Sequence, residues 1–184
     1  MKKFFVSVFS LISLVFITVC TEETVTNNSN LTAGTYFSDY ETFTTNRSAW
    51  TEPDSYKFNY DFRFGDSVVI LGISVQVENG TAIFDYGNET EESIEELKSF
   101  SWGNIAFENI SQMYDYLENR YKQKLANGNT DYRIEYSVTY KSDENYGNYP
   151  VIISENMTDI KHPDIVGYGG VYIKLNSFSI TDTE

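Results

Sequence analysis

The stretch from Asn109 to Asn127 constrains this chain more than any other. Ile110, Met113, Tyr114, Leu117, Tyr121 and Leu125 recur at helical spacing and make one apolar stripe, with Glu118 on the polar side. Asn109 is placed to cap the start, and Gln112 three residues on completes a variant capping box. Asn127-Gly128 is placed to end it, because both residues tolerate the left-handed conformation of a helix C-cap. Lys122 and Lys124 fall near the end, where the helix dipole favours cations. The segments around this helix alternate as strands do. The expected fold is therefore α+β: an antiparallel β-sheet covered by one main α-helix, with a shorter helix before it.

The strand signals are specific. Tyr56, Phe58, Tyr60, Phe62 and Phe64 alternate with Lys57, Asn59, Asp61 and Arg63, the pattern of a half-buried strand whose aromatic face is core. Ile73, Val75 and Val77 alternate with polar residues up to Asn79-Gly80, the favoured pair for a type I′ hairpin. A two-residue loop there sets Val77 opposite Ala82, Val75 opposite Phe84 and Ile73 opposite Tyr86, apolar against apolar. Tyr132 to Lys141 is a further strand, Ser142 to Asn148 a turn, and Tyr149 to Ser154 a short strand near Pro150. Val171 to Ile180 is the last strand, and its change of apolar phase between Leu175 and Phe178 predicts a bulge. Two short helices are expected. One lies at Thr45 to Pro53 and carries Trp50; the other lies at Glu91 to Phe100, with Ser93 and Glu96 as a capping box and Trp102-Gly103 as its stop.

The N-terminus reads as an export signal. Lys2 and Lys3 precede an apolar run from Phe4 to Val19 that is short for a membrane-spanning helix. The run ends Ile17-Thr18-Val19-Cys20, which resembles a bacterial lipobox with Val19 in place of the usual small residue. That resemblance implies lipidation of Cys20, and with it a protein held at the membrane in the cell envelope. Cys20 is the only cysteine, so no intrachain disulfide forms, and lipidation would remove a lone thiol from an oxidising compartment. The expected organisation is a lipoprotein signal peptide at 1–20, a flexible tether rich in Thr, Asn, Ser and Glu at 21–42, and one α+β domain at 43–184.

Charge and chemistry exclude more than they assign. Without Lys2 and Lys3 the chain has 27 acids against 11 bases, a net charge of −16. Such a surface repels phosphate backbones, so no nucleic-acid partner is expected. The chain holds one histidine, His162, near Asp159 and Asp164 in the Gly-rich loop expected at 155–170. No nucleophile or oxyanion elbow accompanies it. Asp143-Glu144-Asn145-Tyr146-Gly147 opens like a calcium loop, but the sixth and twelfth positions are Asn148 and Ser154, not Gly and Glu, so it reads as a turn. Glu89, Glu91, Glu92, Glu95 and Glu96 crowd a helix start, where acids favour the dipole. No catalytic, cofactor-binding or metal-ligating residue is assigned and no cofactor is expected. Cys20 is the one site residue, and the protein is expected not to be an enzyme.

From Trp50 onward, over roughly residues 47–180, the order of motifs resembles the uncharacterised bacterial family known as domain of unknown function 6174. Trp50 followed by Tyr56-Lys57-Phe58-Asn59-Tyr60 is similar to that family's first strand. Val75-Gln76-Val77-Glu78-Asn79-Gly80 is similar to its hairpin, and Ile110-Ser111-Gln112-Met113-Tyr114 to its helix start. Val138-Thr139-Tyr140 with Gly147 and Pro150-Val151-Ile152 is similar to its later strand pair. The cysteine pair that many members carry after the first strand is absent from Phe62-Arg63-Phe64-Gly65. The resemblance implies an exported or lipid-anchored protein and carries no activity. The function expected is a binding or structural module of the envelope with its protein partner unidentified. The alternative is a periplasmic inhibitor or regulator of an envelope enzyme, acting through the sheet's open face or the 155–170 loop.

Overall fold

The computed structural model describes residues 31–65, 68–85, 90–99, 104–162 and 170–181. In chain order the elements are β1 (Gly34–Phe37), α1 (Tyr40–Ala49), β2 (Tyr56–Phe64), β3 (Val68–Glu78), β4 (Thr81–Asp85), α2 (Glu91–Lys98), α3 (Ile110–Asn127), β5 (Tyr132–Asp143), β6 (Gly147–Asp159) and β7 (Val171–Ile180). The strands form one sheet in the order β1-β5-β6-β7-β2-β3-β4. The fold is α+β, as expected. Two finer expectations need correction. The sheet is mixed rather than antiparallel, because β1 runs parallel to β5 at its edge. Two shorter helices, α1 and α2, precede the main one, as their own segments imply, where the overall expectation named one.

The β2 alternation buries Tyr56, Phe58, Tyr60 and Phe62 on the helix side of the sheet. The β3–β4 hairpin has the expected register, Val77 opposite Ala82 and Val75 opposite Phe84; Tyr86 lies outside the described residues. Asn79 (φ 51°) and Gly80 (φ 75°) supply the two left-handed positions of its turn. The bulge expected in β7 is present. Asn59 pairs with Ser177 and Tyr60 with Leu175, so Asn176 is the extra residue.

Around α3 the caps form largely as the sequence implies. The Asn109 side chain accepts from the Gln112 N–H at 2.8 Å. Gln112 in turn accepts from the Glu108 N–H at 2.9 Å, one residue earlier than a standard capping box. Ile110, Met113, Tyr114 and Leu117 are buried and Tyr121 half-buried, whereas Leu125 is 48% exposed. Lys122 does not serve the C-terminus but pairs back with Glu118 at 2.7 Å.

The polar side of α3 is also covered. Tyr116, Glu118 and Arg120 are buried, because α1 lies beside α3 while Phe62 and Phe107 reach the Tyr116 ring. Glu118 accepts from Tyr40 Oη at 3.1 Å and pairs with Arg47 and Lys122. Burial opposes its charge, yet these partners together hold its carboxyl below the model-peptide value of 4.5. Since the folded value lies below the unfolded one, this contribution is full above about pH 4.5 and fades as pH falls through the folded value. Urea unfolding of Glu118→Gln should therefore show a shallower loss of stability on acidification than the wild type. Parallel pH curves would mean that the Arg47 and Lys122 pairs contribute nothing.

The remaining differences lie at element boundaries. The segment from Gly34 to Phe37 and the first turn of α1 fall inside the stretch expected as tether. Helix α1 starts at Tyr40 rather than Thr45: Asp39 caps it through the Thr42 N–H at 3.0 Å, and Trp50 is its C-cap. Strand β6 runs from Gly147 to Asp159, past the expected end at Ser154, because residues 155–159 pair with 132–136. Pro150 sits inside β6 next to a register shift, a position that tolerates a missing N–H. Helix α2 ends at Lys98, and Ser93 falls within it rather than at its cap. Phe100 and Trp102-Gly103 lie outside the described residues.

Candidate functional site

Each side chain singled out in the sequence can be placed or set aside. Cys20 lies outside the described residues, as do Asp164 and Glu89. Asp143 Oδ1 accepts from the N–H groups of Asn145 (2.9 Å) and Tyr146 (3.2 Å), so its carboxylate closes the β5–β6 turn. His162 Nδ1 stands 3.2 Å from Asp159 Oδ2 at an exposed position. The Lys161 N–H, the His162 ring and the His162 N–H hold the Asp159 carboxyl below its ordinary value. Glu92, Glu95 and Glu96 are exposed on α2, and Glu95 pairs with Lys98 at 2.8 Å. Among the described residues no three His, Cys, Asp or Glu side chains converge as a metal site.

Two polar centres, one buried and one half-buried, went unrecognised in the sequence. The first joins α3 to β6. Arg120 donates from Nε to Glu155 Oε2 at 2.7 Å and from a terminal nitrogen to Oε1 at 2.6 Å, a bidentate pair in which Glu155 is 1% exposed. Burial opposes the Arg120 charge, but Glu155 keeps the guanidinium above the usual arginine value. The pair is flanked by the buried hydroxyls of Tyr116 and Tyr136. Burial pushes the Tyr116 phenol up to about 12. Its partners spend the charges on each other, which suits a structural clasp.

The second centre is Glu52, in the loop between α1 and β2. It accepts from Trp50 Nε1 (3.0 Å), from the N–H groups of Ile110 (3.2 Å) and Ser111 (3.0 Å), and from the hydroxyls of Tyr56 and Ser111. A helix N-terminus attracts anions, and here the chain's own carboxylate occupies that of α3. A hollow of about 180 Å³ lies where β1 turns away from β5, lined by Phe37, Ser38, Asp39, Thr42, Val138 and Tyr140. Its single charged group, Asp39, is engaged in capping α1.

The sheet's other face is left. The helices cover the side that carries Tyr60, Tyr136 and Ile173. Strand alternation therefore turns Lys57, Asn59, Asp61 and Arg63 of β2, Lys174 of β7, Ser154 of β6, and Arg133, Ser137 and Lys141 of β5 to the open face. Bulges in β7 and β3 flank Asp61. Its carboxylate accepts from the Gly72 N–H at 2.8 Å and from Asn176 Nδ2 at 2.9 Å. Ser137 and Ser154 share a hydroxyl hydrogen bond at 2.7 Å across the β5–β6 pair. At the β1 edge the Arg133 guanidinium lies over the Tyr36 ring at 4.3 Å and pairs with Glu135. The alternation made each of these residues readable as solvent-facing. The strand order that gathers them on one face, setting β2 beside β7, has no signal in the local pattern. Comparison with protein-family models, curated proteins and solved structures gives no match.

Proposed function

We propose that the protein is an exported bacterial lipoprotein, anchored in the cell envelope through Cys20, whose α+β domain is a non-enzymatic binding module. The observation that carries this reading is the N-terminal order itself: Lys2-Lys3, the apolar run Phe4 to Val19, then Cys20. The open sheet face is the surface this reading assigns to binding, since the opposite face is filled by helices and the two polar centres serve the fold. The similarity to the domain of unknown function 6174 belongs to the same proposal. Its support is the order of those motifs along the sequence.

Substituting Cys20→Ser tests the anchor. Membrane and soluble fractions of expressing cells should show the wild type with the membrane and the variant soluble or unprocessed. Equal membrane retention of both proteins would contradict anchoring through Cys20.

A further inference from the structure

We infer that the open sheet face lies against an anionic lipid headgroup layer, an inference that rests on the lipoprotein reading. Three independent distributions point to this face. The first is charge. Among the described cations, Lys57, Arg63, Lys124, Lys141 and Lys174 have no carboxylate within the 4.0 Å of a salt bridge, and all but Lys124 are on the open face. With Arg133 the face carries five cations against Asp61, Glu78, Asp85 and Glu135, two of which lie at its β3–β4 margin. The other acids described lie on the helices, in loops, at the β5–β6 turn as Asp143 does, or in helix-side register as Glu155 and Asp159 do. On so acidic a molecule, this is the side an anionic surface repels least and the unpaired lysines attract.

The second is apolar exposure. Of the large apolar side chains that stand exposed, Tyr36, Val69 and Ile83 are on this face by register, and Leu71 sits beside its β3 bulge. Cations together with shallow apolar side chains are what an interfacial surface needs. On the middle strands Ile152 and Tyr172 stand among Asn59, Ser154, Lys174 and Asn176, so apolar and polar groups are mixed across the face.

The third is where the chain enters. At Gly34 (φ 149°) the backbone turns over the Tyr36 ring, whose hydroxyl lies 3.5 Å and 3.4 Å from the carbonyl oxygens of Thr32 and Ala33. Tyr36 is on the open face beside Arg133, so the segment leading back towards Cys20 leaves on that side. The eleven residues from Cys20 to Leu31 span at most about 40 Å whatever their conformation. A lipid on Cys20 therefore keeps this side near the bilayer.

The test uses the mature lipidated protein in vesicles of phosphatidylcholine with and without phosphatidylglycerol. Brief amine acetylation is read lysine by lysine by mass spectrometry. In anionic vesicles Lys57, Lys141 and Lys174 should react about fivefold more slowly than in detergent, while Lys122 and Lys124 on α3 are unchanged. High salt, or phosphatidylcholine alone, should remove the protection. Retention on vesicles with no protection of these three lysines overturns the face assignment alone. Failure to be retained on any vesicle overturns the lipoprotein reading and this inference with it. Protection that appears only when an envelope protein extract is added, whatever the lipid, overturns the lipid assignment in favour of a protein.

Discussion

Arg120→Ala should cost about 3–5 kcal/mol of stability, because it leaves Glu155 buried without its partner. The size follows from asymmetry. Taking two ions out of water is expensive, and the bidentate contact offsets that cost only while both members are present. Glu155 has little water to turn to, at 1% side-chain exposure. The double variant Arg120→Met with Glu155→Leu removes both charges together and should recover most of the loss. Urea unfolding of the three proteins decides it. If Arg120→Ala cost under about 1 kcal/mol, or the double variant were the worst, the ion pair would not be the clasp between α3 and β6.

The second large effect belongs to Glu52. Its carboxylate gathers donors from Trp50, Tyr56, Ile110 and Ser111, so it links the α1–β2 loop, β2 and the start of α3. A hydrogen bond to a charged group contributes about 1.5–3 kcal/mol, and bonds sharing one acceptor do not add. Glu52→Ala should then cost about 3 kcal/mol, with the first turn of α3 losing hydrogen-exchange protection before its centre. Ser111→Ala removes one contact and should cost about 1 kcal/mol. Equal losses from the two substitutions would mean that Glu52 is a spectator.

Local chemistry was legible where period and turn residues agree. The β3–β4 register followed from Asn79-Gly80, the α3 start from Asn109, and the β7 bulge from the phase change before Phe178. What stayed hidden depends on non-local pairing. Strand β6 runs on through Glu155, and a carboxylate on a core face hides the alternation until Arg120 is known to meet it. Glu118 reads as the polar side of a helix until α1 packs beside it and Arg47 and Tyr40 close over its carboxylate. The short parallel strand β1 has only the phase of β5 to define it, so Gly34 to Phe37 read as part of a tether in the sequence. The candidate binding face shows the same division. Lys57, Arg63 and Lys141 each read as solvent-facing in their own strands, while the grouping with Lys174 required the strand order.

The functional account stands on Cys20, and the mature N-terminus tests it most directly. Mass spectrometry of the protein extracted from membranes should find a chain that begins at Cys20 and carries a diacyl or triacyl modification. An unmodified N-terminus downstream of Cys20, or an intact Lys2-Lys3 leader on the membrane-bound form, would contradict it.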